Sequence, residues 1–348
     1  MATHIARRLP CLSLLAALFC LPAAAATGTV TTVKNFVGAR SGAIGTLSVG
    51  SAVYGPKTTA NGLVKYNNHW VYLARNTAIF DVTFTDGGNT RRFAIVRPEP
   101  ATKAAPALLM LHGAGGDPEG QVTLSYVAAS VAANGYWAVL PQGLSGSWNT
   151  DPLNSSGGAN DVGFIAKVID IATGYFGLNG KRVYASGMSE GGFMTARLAC
   201  ELSDRIAAFA TVAATLSSGL SRACAPSSPR TLLMFSGTAD TLVPYNGGRT
   251  GVLSVADAFN LWLSRNNCTA SSTVSSNLPD SVSDGTSVTL KRNSGCGSGG
   301  QVRLYTINNG GHTWPGGYQY LPEAQIGKTS QDLSATAELW QQLSAYSL

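Results

Sequence analysis

A serine framed by glycines is the first place where chemistry could reside: Gly187-Met188-Ser189-Glu190-Gly191 is a G-x-S-x-G pentapeptide. In a chain with 40 glycines the pattern alone is weak, so its setting has to decide. Val183-Tyr184-Ala185 before it reads as a strand, and Gly191-Gly192-Phe193-Met194-Thr195-Ala196 after it opens a helix. A serine on such a strand-to-helix turn stands clear of its neighbours as a nucleophile. The helix N-terminus beneath it favours the negative charge that develops as a carbonyl is attacked.

A serine nucleophile needs a base, and the base needs an orienting acid. Besides His4 the chain has His69, His112 and His312, and only His312 follows Ser189. One known chain order for this catalyst is nucleophile, acid, histidine. His312 lies in the glycine-rich loop Asn309-Gly310-Gly311-His312, just after an expected strand. Between the two, Leu232-Leu233-Met234-Phe235 leads to Asp240, which would fix the tautomer of His312 and stabilise its charged form. Asp240 as an ordinary loop cap is the bland alternative; Asp204 falls before a strand and Asp257 within a helix, so both fit less well. The two donors for a tetrahedral oxyanion would be the N–H of Glu190 and one from the turn His112-Gly113-Ala114-Gly115-Gly116, namely Ala114. His112 is expected to orient that turn by hydrogen bonds and not to act as a second base. The turn lacks the G-x-x-x-x-G-K-[ST] and G-x-G-x-x-G spacings of a phosphate cradle.

These residues must be carried by elements that end at one edge. Ala78–Thr85 and Arg91–Val96 read as a strand pair turning at Asp86-Gly87-Gly88, and 106–111 as a strand buried on both faces. A helix over 125–133, a strand over 136–140 and a helix capped by Asp161 and running to Tyr175 follow. Strands at 182–185, 207–213, 231–235 and 302–307 alternate with helices after Ser189, over 252–265 and over 333–345. Such alternation predicts an α/β fold with a mostly parallel central sheet and helices on both faces. Residues 27–76 read instead as short strands and loops, either an extension packed on the 77–348 catalytic domain or a small module of its own. Within them Trp70 and Tyr72 are expected to anchor the extension in the core, with a sugar- or polymer-stacking platform as the alternative. The Ser-, Gly- and Asn-rich stretch 266–300 would be loose by itself.

Arg7 and Arg8, the apolar run from Leu12 to Leu21 and the small residues Ala23 to Ala26 predict a cleavable signal peptide over 1–26 and a secreted or periplasmic location. The run is too short for stable membrane insertion. Its removal would lower the formal charge from +6 to +4, with no basic run to suggest nucleic acid. Cys200, Cys224, Cys268 and Cys296 would remain, an even number that predicts two disulfides. Three connectivities are open, and sequence proximity favours Cys200–Cys224 and Cys268–Cys296. The absence of CxxC or CxH clusters argues against zinc, and no metal or organic cofactor is called for.

Taken together, the segments LLMLHGAGGD (108–117), NDVGFI (160–165), RVYASGMSEGGFMTARLACE (182–201), SGTADTLVPYNGG (236–248) and YTINNGGHTWPGG (305–317) are similar to the polyhydroxybutyrate depolymerase/feruloyl esterase family of secreted α/β-hydrolases. The resemblance covers about residues 91 to 317 and implies the same triad, the same two disulfides, and Trp148 and Trp314 as walls of a substrate cleft beside His112. Glu190, Ser236 and the segment before residue 77 depart from the family pattern. The implied partner is an ester polymer or polymer-linked ester. A polyester comes first, feruloyl or acetylxylan esters second, and an acidic polyamide such as polyaspartate third. A non-catalytic binding protein on the same scaffold is the remote alternative.

Overall fold

The computed structural model describes residues 30–38, 42–57, 62–153, 158–248, 251–297 and 300–348. The signal-peptide expectation for residues 1–26 lies outside them. Fifteen strands are present among the described residues, and thirteen form one sheet. Its centre is β9 (Trp137–Pro141), β8 (Ala107–Leu111), β10 (Val183–Met188), β11 (Ala208–Val212), β12 (Thr231–Gly237) and β15 (Val302–Asn308), in that spatial order and mutually parallel. Every residue of β8 to β12 is buried, because helices cover both faces and leave no side to water. Helices α3 (Asp161–Asp170), α4 (Glu190–Glu201) and α6 (Val255–Arg265) pack Phe164, Met194 and Trp262 on one face. On the other, α1 (Pro118–Ser125), α2 (Val127–Asn134) and α8 (Ala335–Leu343) pack Val122, Val131 and Leu339.

The central strands are parallel, as expected, and antiparallel strands extend the sheet on both sides. On one side β6 (Thr77–Asp86) and β7 (Asn89–Pro98) form the expected hairpin, turning through Gly87 and Gly88 at φ 58° and 81°, and β7 pairs antiparallel with β9. The extension is not set apart from the sheet: β1 (Val30–Gly38) pairs β2 (Gly42–Gly50), and β2 and β3 (Val53–Tyr54) both pair β6. Only β4 (Leu63–Tyr66) and β5 (His69–Tyr72) stand off as a separate hairpin, lying on α1. On the other side, the Ser-, Gly- and Asn-rich stretch supplies β13 (Thr273–Asn277) and β14 (Ser287–Asn293), an antiparallel pair on β15. Backbone pairing to an existing edge gives a polar segment an ordered place that its own side chains could not.

The helix expected at 125–133 is α2; the unexpected α1 precedes it and is ended by Tyr126, whose φ is 52°. Asn160, not Asp161, caps α3, its side-chain oxygen accepting from Gly163 N at 3.0 Å. Asp161 is instead buried as an ion-pair partner. Its Oδ1 accepts from Arg91 Nη2 at 2.8 Å and its Oδ2 from Asn149 N at 2.8 Å, so one carboxylate ties β7, α3 and the loop after β9 together. Arg91 and Asp161 are both buried, and the guanidinium lies 3.6 Å from the centre of the Phe164 ring. Removing one partner leaves the other charge without its counter-ion in the core. Arg91→Ala is therefore expected to cost about 3–5 kcal/mol, read as a lower urea midpoint with an unchanged slope. Disulfides join Cys200 to Cys224 and Cys268 to Cys296, the latter closing the base of the β13–β14 insertion.

Candidate active site

The carboxyl ends of the parallel strands bring the chemical residues to one edge. Ser189 follows β10, Asp240 follows β12 and His312 follows β15. Ser189 has φ 55° and ψ −124°, a strained conformation for a residue with a side chain, costing on the order of 1–3 kcal/mol. It persists because the surroundings hold both sides of the turn. Ser189 N donates to Val212 O of the adjacent strand at 2.9 Å, while Ser189 O accepts from Gly192 N and Phe193 N at 2.8 and 3.0 Å. The neighbouring glycines are needed for space. A Cβ on Gly191 would lie 2.3 Å from Leu111 O and 2.5 Å from His112 O, and one on Gly187 would lie 2.3 Å from Gly191 O.

His312 and Asp240 are both buried and meet directly, Nδ1 to Oδ2 at 2.8 Å. The other carboxylate oxygen, Oδ1, accepts from Leu242 N and Val243 N, each at 2.8 Å, so the turn after β12 fixes the acid's orientation. The histidine loop is fixed in turn by His312 N donating to Ile326 O at 2.6 Å and by Tyr320 Oη donating to His312 O at 3.1 Å. With Nδ1 committed to the acid, Nε2 is the nitrogen left to exchange a proton. Of the rival acids, Asp257 spends an oxygen on Ser254 Oγ at the start of α6, 2.6 Å away.

The glycine turn after β8 lies against the serine: a Cβ on Gly113 would be 3.4 Å from Ser189 Cβ. His112 sets its orientation. Gly143 N donates to His112 Nε2 at 3.0 Å, which leaves Nδ1 as the protonated nitrogen, donating to Gly113 O at 2.7 Å. Gly116 N also donates to Gly113 O, at 3.0 Å. Two donors therefore hold the Gly113 carbonyl on one side, and in a trans peptide the N–H of the next residue, Ala114, must point to the other. Burial lowers the His112 pKa, which keeps the ring neutral and this tautomer intact at neutral pH.

No protein-family model matches the chain. It is 32% identical over 273 residues to "Putative esterase NocK" of Nocardia uniformis subsp. tsuyamanensis, covering 71% of this chain and 77% of that protein. The chain belongs to the esterase family of α/β-hydrolases. It is also 32% identical over 224 residues to feruloyl esterase B of Piromyces equi, covering 60% of the chain and 40% of that protein. Identity to the bifunctional acetylxylan esterase/xylanase XynS20E of Neocallimastix patriciarum is 25% over 228 residues, covering 65% of the chain and 31% of that protein. The esterase thus matches less than half the length of these last two relatives.

Within this esterase the two expected cleft walls are corrected. Trp314 is 0% exposed and donates from Nε1 to Thr336 Oγ1 at 2.9 Å; it is core beneath the histidine loop. Trp148 is 4% exposed, donates from Nε1 to His112 O at 2.9 Å and packs its ring 4.9 Å from that of His112. His112, placed beside that cleft, is itself buried against Trp148 and the turn. Large aromatic side chains beside a catalytic edge are as useful for holding its loops as for lining its opening, and here the indole hydrogen bonds settle the matter. Glu190 accepts from Ser147 Oγ at 2.7 Å, which joins the serine's helix to the loop after β9. Gln142, which carried no signal beyond its place at a strand end, donates from Nε2 to Gly116 O at 3.2 Å and to Gly143 O at 3.3 Å.

Proposed function

We propose that this esterase cleaves feruloyl or acetyl esters borne by plant polysaccharide, through Ser189, His312 and Asp240. The buried 2.8 Å contact between His312 Nδ1 and Asp240 Oδ2, at the same sheet edge as the strained Ser189, is the observation that carries the mechanism. His312 Nε2 takes the Ser189 proton as Oγ bonds to the ester carbonyl carbon. The carbonyl oxygen, now an oxyanion, is held by the N–H groups of Glu190 and Ala114. The C–O bond to the alcohol then breaks, and His312 returns the proton to the leaving oxygen. Water repeats the sequence on the acyl-enzyme, releasing acid and restoring the serine.

The substrate class rests on relatives named as feruloyl and acetylxylan esterases. These names support polysaccharide esters over the polyester that the family resemblance put first. Two disulfides fit an oxidising location outside the cytosol. A panel of acetylated xylan, methyl ferulate, polyhydroxybutyrate film and polyaspartate tests the reading. Release of acetate or ferulate at the highest kcat/KM is expected; preferential clearing of the polyester film would overturn it.

A further inference from the structure

The β4–β5 hairpin belongs to the part of the chain that the catalytic reading leaves unexplained. Alternation along β5 turns Val71 inward and Trp70 and Tyr72 outward, about 6.5 Å apart along the strand. Trp70 was expected in the core, yet it is 52% exposed. The hairpin does not leave it out for want of anchoring. Tyr72 N donates to Thr123 Oγ1 of α1 at 3.2 Å, and Asn67 Nδ2 donates to Glu119 Oε1 at 2.9 Å. Arg92 pairs with both Glu119 and Asp81 beneath it, so the ring stands on a braced support.

The rings continue along α1. Tyr72 meets Tyr126 edge-on at 4.9 Å between centroids. Tyr318, 38% exposed, lies at the same end of α1 as Tyr126. Tyr318 N donates to Leu124 O at 2.9 Å, which seats the loop carrying it against the end of α1. That loop runs on from His312, and Asp117, directly after the glycine turn, caps α1; His69 Nδ1 lies 3.6 Å from Asp117 Oδ2. The strip therefore lies along α1, with the His69 end of the hairpin next to the oxyanion turn and Tyr318 on the segment that follows the base.

We propose that Trp70, Tyr72, Tyr126 and Tyr318 form a docking strip for the neutral backbone of a polysaccharide whose ester side group reaches Ser189. This inference rests on the substrate class proposed above. Flat aromatic faces stack on the apolar C–H faces of sugar rings, while exposed Lys65, Asn68 and His69 beside Trp70 offer hydrogen bonds to hydroxyl groups. A row of single rings bordered by polar side chains suits a chain-like ligand. The centre of a protein–protein interface needs a broad, well-packed apolar patch, which this row does not provide.

The test compares the wild type, Trp70→Ala and Trp70→Phe in native gels cast with soluble deacetylated xylan, alongside hydrolysis of p-nitrophenyl acetate and acetylated xylan. Xylan is expected to retard the wild type and not Trp70→Ala, with Trp70→Phe recovering part of the retardation. On acetylated xylan Trp70→Ala should lose roughly tenfold in kcat/KM through KM, the equivalent of about 1.4 kcal/mol. Turnover of p-nitrophenyl acetate should stay at the wild-type level in both variants. Equal retardation of wild type and Trp70→Ala, or none of either, overturns the strip. Trp70-dependent retention on polyester film without retardation by xylan overturns the polysaccharide as its ligand. A wild type that xylan retards, but that releases neither acetate nor ferulate, sinks the proposed substrate and leaves the strip standing.

Discussion

Ser189→Ala is expected to lower kcat on p-nitrophenyl acetate by on the order of 10⁴- to 10⁶-fold while leaving the protein folded. In the proposed mechanism the hydroxyl supplies the atom that forms the covalent bond, and neither His312 nor the oxyanion donors can replace it. A residual rate above that in water would come from the donors and from substrate binding, which the substitution leaves in place. Folding should be preserved because the contacts holding the turn are made by backbone atoms: Ser189 N to Val212 O, and Ser189 O from Gly192 N and Phe193 N. A fluorophosphonate probe should label the wild type at Ser189 and leave the variant unlabelled. Labelling at another serine, or a kcat within tenfold of wild type, would remove Ser189 from its role.

Asp240→Asn is expected to cost about 10⁴-fold in kcat with little change in KM. The reason lies in which way the amide must face. Leu242 N and Val243 N both donate to Asp240 Oδ1, so the amide oxygen stays with them and the amide nitrogen takes the place of Oδ2. That nitrogen can only donate to His312 Nδ1, which must then be unprotonated, and the ring proton moves to Nε2. In that tautomer Nε2 has no lone pair to accept the serine proton. Stability should change little, because the amide can make each of the three hydrogen bonds that the carboxylate made. A variant with near-normal kcat would place the orienting acid elsewhere.

Legibility from sequence divides by the range of the interaction involved. The strand ends bearing Ser189, Asp240 and His312 were readable because each follows an apolar run or a glycine turn whose local physics allows one structure. The β6–β7 hairpin was readable for the same reason, since Gly87 and Gly88 can turn at positive φ. Asp161 was misread as a helix cap because the residue type suits both roles, and only the approach of Arg91, 70 residues earlier, decides between them. The β13–β14 pair was hidden because its order comes from the edge of β15 and the Cys268–Cys296 bond, not from its own polar composition.

Aromatic residues mark the limit most clearly. Trp148, Trp314 and Trp70 are equally apolar in the sequence, and nothing local separates a ring that faces solvent from one that holds a loop. The tertiary structure buries the first two through Nε1 hydrogen bonds to His112 O and Thr336 Oγ1, and leaves the third exposed on a braced hairpin. By itself the sequence determined the reaction type, because a nucleophile elbow, a single downstream histidine and an aspartate at a strand end need only residue identity and chain order. Which rings can meet a substrate, and which way the Ala114 N–H points, was decided only when distant segments came together. Burial and hydrogen-bond direction depend on neighbours far away along the chain.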